Sequence, residues 1–579
     1  MSSRVAADRI IDVLIEAGIT HFFGLPGGYV IDLYEALHDK QDRITPITPR
    51  DEQTASCMAE MYGKLTGKPG VFAAQGAFAG STGMFGLIEA YLASTPMLVL
   101  SELTDFGNFA MHGPIQSGTG NYGSFDLPSI FQQNTKFLSV AHYPLEAVLG
   151  VQLAIKHATT GRPGPCACLF RSHAVKGKIE ENSLPEIHDT KRLLTDSKTC
   201  PPAPEIDRAA DLLSRAKNPV IISGNGLRIS RGFGQLERMA EALGAPVVTS
   251  YLGKSTIPET HPLAAGPIGY TGTPFANDTL AMADVILVAG SRLKPQETCY
   301  EHPELIDPQR QKIIHIDIDG RNASWTLPAE IVLIGDAALT LDLLLERIGA
   351  REKDFDARAR IQKFQDLKRH KEFFSAPSLE SEAVPILPQR LVREVQEACP
   401  EEAIVCTDAG NNRHWMNHFF QTKRTNSYFG TGGLGGVSWS LPAALTAKIL
   451  YPETPAIGVC SDGGFAMQMH VLLTALQYRV APVYVIMNNS SLGMVAQGMG
   501  ERRTGTDFPD VDFAAIARSF GCFGERATRP GEARDAIREA LRQDKPAVID
   551  AVIDPNQLMK AEIYSPLAME ALQGHYRRK

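Results

Sequence analysis

Asp462 and Asn489 are the pair of side chains in this 579-residue chain whose types and spacing most readily do chemistry together. Asp462 closes the short apolar run Ile457-Gly-Val-Cys460 and Ser461. Asn489 stands 27 positions later, after a second apolar run, Val483 to Met487. One carboxylate, one amide oxygen, Ser491 and nearby backbone carbonyls make a hard-oxygen set suited to Mg²⁺. That ion takes few protein ligands and fills its shell with water and phosphate oxygens. Gly463 and Gly464 should open a helix with free N–H groups, a natural seat for a diphosphate. Alone, a strand-end Asp or an Asn-Asn turn is usually structural.

The elements that position the pair follow from periodicity. Two apolar runs flank a segment, Phe465 to Tyr478, with apolar residues at helical spacing. This reads as a βαβ unit with parallel strands. Parallel neighbours end on the same sheet edge, where α/β folds bind ligands. Alternation of this kind recurs along the chain. Near the N-terminus it runs helix Val5 to Ala17, strand Ile19 to Phe23, strand Ile44 to Thr48 and helix Glu52 to Leu65. Strand Gly70 to Ala74, a helix around Met84 to Ala93, and strands Met97 to Ser101 and Cys166 to Phe170 complete that stretch. Residues 172–204 read as a linker. Pro219 to Ser223, Ala245 to Thr249, Val285 to Ala289 and Ile313 to Ile318 read as strands of a second region. The charged stretch Arg351 to Lys371 reads as solvated helix before a third. We expect an α/β protein with three doubly wound parallel-sheet domains, at residues 1–185, 200–350 and 385–579.

Composition narrows the function classes. Hydrophobic content of 44% and charged content of 21% are ordinary for globular chains. A formal net charge of −8 argues against general nucleic-acid binding. No apolar run reaches membrane-spanning length, and the first residues lack the apolar core of a signal peptide. Nine scattered cysteines, an odd number, suit buried thiols in a reducing compartment rather than a disulfide framework. The expectation is a cytoplasmic protein without membrane or nucleic-acid partners.

The Asp462–Asn489 spacing resembles the thiamine diphosphate signature, Gly-Asp-Gly followed by Asn-Asn, with Ser461 in place of the first Gly. A second stretch, Arg50-Asp-Glu-Gln-Thr-Ala-Ser-Cys-Met-Ala59, resembles the first domain of thiamine diphosphate enzymes of the acetolactate synthase and pyruvate oxidase family. Phe23-Gly-Leu-Pro-Gly-Gly28, Gly161-Arg-Pro-Gly-Pro165 and Leu434-Gly-Gly-Val-Ser-Trp-Ser-Leu-Pro-Ala443 match as well, so the likeness covers nearly the whole chain in order. It implies that Glu52 hydrogen-bonds the aminopyrimidine ring, that Gly435 offers its carbonyl to the exocyclic amine, and that Val437 wedges between the rings. It further implies cofactor contacts at Gly27 and at Gly410, Asn411 and Asn412. A carboxylate against the pyrimidine nitrogen favours the imino form, which then serves as internal base. The plainer readings are a helix-start carboxylate for Glu52 and simple core for Val437.

The resemblance implies thiamine diphosphate and Mg²⁺ as cofactors. It implies an acetolactate synthase-like carboligase or lyase acting on a 2-oxo acid or 1,2-diketone and a carbonyl acceptor, through a C2 carbanion and an enamine. A 2-oxo acid decarboxylase, a pyruvate oxidase-like enzyme and a non-catalytic or regulatory homologue stay open. The family also implies a homodimer or homotetramer with active sites at the subunit interface. Departures mark the substrate pocket. Phe78 stands where a small Ser-Gly-Pro-Gly loop is common, and Gly498 where acetolactate synthases place a Trp. His112 and Gln116 precede the glycine-rich run Ser117 to Gly123 and could contact substrate, the plainer reading being loop residues with local partners. Asp51 replaces a His, and a carboxylate beside Glu52 should disfavour ionisation of both. The central region resembles an FAD-binding domain, but Arg292-Leu-Lys-Pro295 replaces Arg-Phe-Asp-Asp, so FAD stays open too.

Overall fold

The computed structural model describes residues 3–105, 112–180, 184–195, 197–371 and 373–573. Strands are the short, branched and apolar runs, and nearly all are buried on both faces, as parallel sheets covered by helices require. The described residues fall into two compact units.

The first unit contains residues 1–197, 431–452 and 468–480. A two-stranded antiparallel ribbon joins β1 (Ser3–Val5) to β8 (Lys178–Glu180). The main sheet has six parallel strands: β2 (His21–Gly24), β3 (Thr45–Ile47), β4 (Gly70–Ala74), β5 (Met97–Glu102), β6 (Phe137–Ala141) and β7 (Pro165–Phe170). Their order is β3-β2-β4-β5-β7-β6. Residues 172–204 are more than a linker. Helix Ser172–Lys176, β8 and helix Thr190–Leu193 occupy much of that stretch, anchored where Glu16 accepts the Thr190 N–H at 2.8 Å.

The second unit carries two further six-stranded parallel sheets. One is built from β9 (Pro219–Ser223), β10 (Val247–Thr249), β11 (Ala264–Pro267), β12 (Val285–Ala289), β13 (Lys312–Asp317) and β14 (Ile331–Ile334), in the order β11-β10-β9-β12-β13-β14. The other contains β15 (Ile404–Thr407), β16 (Tyr428–Gly430), β17 (Ala456–Ser461), β18 (Val483–Asn488), β19 (Phe523–Ala527) and β20 (Ala547–Val552), in the order β16-β15-β17-β18-β20-β19. Helix Ala357–His370 has Phe364 as its single buried residue, as its charge pattern requires.

The first and last of the three main sheets share one strand order, the central sheet has another, and all three have one feature in common. The first strand of each has its successor on one side and a later strand on the other, so each has a switch point beside its first strand. Crevices open there, at carboxyl ends. The βαβ expectation is met for β17 and β18, which pair in parallel from Ile457↔Val483 to Ser461↔Met487. The intervening helix is not continuous. It divides into Asp462–Gln468 and Val471–Gln477, separated at Met469 and His470. Gln468 is buried, and the Gln468 and His470 side chains engage Thr54 instead of continuing the helical pattern.

Close packing of two helices in the first unit leaves no room for a methyl group. A β-carbon on Gly86, in helix Met84–Ala93, would lie 2.3 Å from the Ser56 carbonyl carbon of helix Glu52–Thr66. Gly86→Ala should destabilise the unit by about 1–3 kcal/mol through overpacking. A lowered urea midpoint would show it, and an unchanged midpoint would contradict the tight crossing.

Candidate functional site

In the first unit Glu52 is the opening residue of helix Glu52–Thr66, with Asp51 as N-cap. Asp51 Oδ1 accepts the Thr54 N–H at 2.6 Å, and His470 Nε2 lies 2.5 Å from Asp51 Oδ2. Burial pushes the Asp51 carboxyl up. The His470 and Thr54 bonds outweigh it and hold the group below its usual range. Asp51 therefore ionises more readily than normal, which corrects the expectation that adjacent carboxylates suppress each other. The reason is local: Asp51 faces a helix N-terminus and an imidazole. Glu52 behaves as expected. Burial raises its pKa, its own backbone N–H lowers it, and the Asp51 charge adds a smaller upward push.

Gly27 and Gly28 follow β2, and Gln75 follows β4, on the two sides of the switch point. Gly28 has φ +52°, and a β-carbon there would sit 2.7 Å from Glu102 Oε1 and 3.1 Å from Gln75 Cγ. Gln75 Nε2 donates to Gln116 Oε1 at 2.5 Å, and Gly27 faces the Gln75 amide oxygen. Gln116 thus joins the Gly27 loop. Phe78 is half exposed on helix Gly76–Ala79. His112 packs its ring against Tyr122 at 4.8 Å, and among the described residues no polar contact ties it to Glu52 or Gln75. Gly435, with φ +70°, and the part-buried Val437 lie in the loop before helix Ser440–Leu450. The neighbouring Ser438 Oγ is 3.5 Å from Gln53 Nε2, so this loop borders the start of the Glu52 helix.

In the second unit β15 and β17 end side by side at the switch point of their sheet. Gly410 has φ +98°, a conformation that favours glycine, and caps helix Asn411–Phe419 without a side-chain bond. Asp462 follows β17 and is buried to 3% exposure. Its Oδ2 accepts the Ser491 N–H at 3.2 Å, and the N–H groups of Ser490 and Asn489 also point to it. The structure therefore brings Asp462, Asn489 and Ser491 together. Burial raises the Asp462 pKa against these donors. Of the two asparagines, Asn488 is structural: its Nδ2 donates to Asp550 Oδ1 at 2.8 Å. Asn489 and Asn411 meet at Gly493, where a β-carbon would lie 2.5 Å and 3.0 Å from their amide nitrogens.

The Gly463 and Gly464 N–H groups are not free as expected. Gly463 donates to Asp462 Oδ1 at 2.8 Å and Gly464 to Ser461 Oγ at 3.1 Å. Ser461, standing where a glycine is usual, supplies the hydroxyl that occupies the second. Two other polar atoms are orphaned instead. Asn411 Oδ1 and Asn412 Oδ1 are buried and have no hydrogen-bond partner among the described residues. Buried polar atoms rarely go unpaired without a reason. The Asn412 Nδ2 donates to the Val459 carbonyl at 3.3 Å, so it is the two amide oxygens that stand open. A buried carboxylate beside unpaired amide oxygens fits a hydrated metal–diphosphate ligand. Gly498 is exposed on helix Gly493–Met499, and a β-carbon there would meet no described atom within 4 Å. At the β9–β12 switch point the glycines close on each other: Gly226 donates to the Gly290 carbonyl at 2.8 Å and Gly224 to Ala289 at 3.0 Å.

Sequence reasoning missed His470 and Gln468, whose partners lie more than 400 positions away. It also missed Glu102, a buried carboxyl at the end of β5 that accepts the Thr104 hydroxyl at 2.7 Å. An acidic residue closing the apolar run Met97 to Ser101 was the available signal.

Three six-stranded parallel sheets, with candidate residues gathered at the switch-point ends of the first and last, make an α/β architecture of related plan. Family models for the thiamine pyrophosphate enzyme match it in chain order: the N-terminal TPP binding domain over residues 4–119, the central domain over 206–344 and the C-terminal TPP binding domain over 408–551. The chain is 32% identical to a probable acetolactate synthase large subunit of Methanocaldococcus jannaschii, covering 96% of this chain and 92% of that protein. It is 28% identical to the acetolactate synthase isozyme 3 large subunit of Escherichia coli, over 95% of each. It is also 27% identical to a sulfoacetaldehyde acetyltransferase of Castellaniella defragrans, over 92% of this chain and 90% of that one. The chain belongs to the thiamine pyrophosphate enzyme family and resembles its acetolactate synthases.

Asp51→Ala removes a helix cap and should cost about 1 kcal/mol at neutral pH. Because the folded pKa of Asp51 lies below the unfolded one, its contribution is complete above the unfolded value and is lost as pH falls through the folded value. Urea midpoints of variant and wild type should differ at pH 7 and converge in acid. A gap that persists in acid would contradict this assignment.

Proposed function

We propose that this chain is a thiamine diphosphate- and Mg²⁺-dependent carboligase or lyase of acetolactate synthase type, acting on a 2-oxo acid or 1,2-diketone and a carbonyl acceptor. The observation that carries the reading is the clamp at the end of β17. Asp462 is a buried carboxylate with Asn489 and Ser491 gathered around it, with the orphaned amide oxygens of Asn411 and Asn412 at the end of the neighbouring strand. Asp462, Asn489 and Ser491 would hold the metal. Gly410, Asn411 and Asn412 would hold the diphosphate. Residues 1–185, 200–350 and 385–579 are taken as pyrimidine, central and diphosphate domains.

When bound, thiamine diphosphate supplies a carbon nucleophile and an electron sink for breaking and making bonds next to a carbonyl. The chain's own residues prepare the site. Glu52, with its pKa raised by burial, would share a proton with a ring nitrogen more readily than an ordinary carboxylate. Asp51 stays ionised and, through its cap, fixes Glu52 at the head of the helix. Gly27 and Gln75, at the ends of β2 and β4, would border the same pocket. Val437 would bend the cofactor and Gly435 would orient its amine. Gly498 offers no bulk to restrict an acceptor. Glu52 and the clamp would meet across a homodimer or homotetramer interface, and the expected compartment is the cytoplasm.

Glu52→Gln should abolish proton exchange at C2 of bound thiamine diphosphate while leaving cofactor affinity unchanged, read by NMR and calorimetry. Undiminished exchange would remove Glu52 from this role. A mass-spectrometric product screen should pair pyruvate and diketones as donors with 2-oxo acids, aldehydes and sulfoacetaldehyde as acceptors, with and without FAD. Acyloin or acetohydroxy acid formation supports the carboligase. Aldehyde release alone favours a decarboxylase, and oxygen-dependent turnover with flavin an oxidase. No thiamine diphosphate binding and no turnover would leave the non-catalytic homologue.

A further inference from the structure

Helix Met84–Ala93 is apolar apart from one acid, Glu89, which is fully buried. Four donors from a single loop converge on its carboxylate. Oε2 accepts from the Thr431 hydroxyl at 2.9 Å and the Leu434 N–H at 2.7 Å. Oε1 accepts from the Gly432 and Gly433 N–H groups at 3.1 and 3.0 Å. Three consecutive backbone N–H groups form an anion-binding nest, and the anion here is the protein's own. Thr431 Oγ1 also accepts the Gly436 N–H at 3.0 Å, folding the loop back on itself.

A second buried cluster holds Glu89 in place. Lys64 Nζ lies 3.5 Å from Glu89 Oε1 and 2.8 Å from Glu60 Oε1. Glu60 Oε2 accepts the Trp439 indole N–H at 3.1 Å, and Lys64 sits 4.4 Å over the Trp439 ring. Burial pushes the Glu89 carboxyl up, but Lys64 and the loop donors outweigh it, so the group stays ionised. Buried ion pairs add little stability compared with well-packed apolar residues. Stability alone therefore does not account for two acids and a lysine here. What this arrangement does supply is position. The loop is pinned at 431–434 by Glu89 and at Ser438 beside Gln53. Gly435, Gly436 and Val437 are the short span between the pins.

We propose that Glu89 is a positioning residue that sets the backbone at Gly435 and Val437, and through them the orientation of the aminopyrimidine. This rests on the function proposed above. Glu89 touches neither cofactor nor substrate; it acts through the loop it binds.

The test uses the full chain with Glu89→Gln, which keeps the side-chain shape but turns one acceptor oxygen into a donor facing loop N–H groups. Hydrogen exchange of the peptide spanning 431–438, measured without cofactor, should accelerate about tenfold, while helix Glu52–Thr66 keeps its wild-type protection. Exchange at C2 of bound thiamine diphosphate should fall about tenfold or more, as expected for misplacement of a reacting group. Thiamine diphosphate affinity in Mg²⁺ should stay within about fivefold, the weight of one net hydrogen bond. If Glu89→Gln does not fold, Thr431→Val keeps the ion pair and removes one donor to Glu89 together with the acceptor of the Gly436 N–H. It should speed loop exchange and slow C2 exchange by about fivefold each. Wild-type C2 exchange in a folded variant overturns the role of Glu89. So does loss of cofactor affinity in step with general loss of protection. Failure of the wild-type chain to bind thiamine diphosphate instead overturns the function proposed above, and the positioning role with it.

Discussion

Parallel pairing of β17 with β18 is the constraint on which the candidate clamp depends. The register Ser461↔Met487 places both strand ends on one edge of the sheet. Asp462 and the Asn489–Ser491 turn then need no long-range coincidence to meet. The chain pays for this with a buried carboxylate, partly offset by backbone N–H groups from the turn. On its other side β17 pairs with β15, which brings the orphaned amide oxygens of Asn411 and Asn412 to the same edge. One sheet edge thus carries a cation-seeking group and unpaired polar groups in immediate succession.

Two small departures from the family signature have local consequences. Ser461 places a hydroxyl where the Gly464 N–H would otherwise stand open, so the start of helix Asp462–Gln468 is internally satisfied. Asp51 takes over helix capping and binds His470. In both cases a changed side chain has found a partner within its own unit. Departures that are absorbed in this way need not signal loss of function.

Much of the architecture was legible in the sequence because parallel strands buried on both faces read as unbroken apolar runs. The β4, β5, β9, β12, β17 and β18 strands are all of this kind. Apart from β3, read as Ile44 to Thr48, the edge strands were not legible. β6, Phe137-Leu-Ser-Val-Ala141, is broken by Ser139 and only partly buried except Ala141, and β19 contains Glu525 and Arg526. The division of the helix between β17 and β18 was hidden because its cause is tertiary: Gln468 and His470 turn to Thr54 and Asp51. Within the site, spacing brought out Asp462 and Asn489, which are local to one βαβ unit. Glu89 went unread because its partners begin at Thr431. Its signal was an isolated acid in an otherwise apolar helix.

The make-up of the first unit bears on how the chain folds as it leaves the ribosome. Its sheet is complete by Phe170, yet the unit also needs residues 431–452 and 468–480. At about 5–20 residues per second, those segments emerge on the order of tens of seconds after the sheet. In that interval Glu60, Lys64 and Glu89 lack Trp439 and the 431–434 loop. The N-terminal sheet must therefore wait in an unfinished state, with charged groups still hydrated where the finished unit will exclude water. Maturation of the first part of the protein is timed by synthesis of the last.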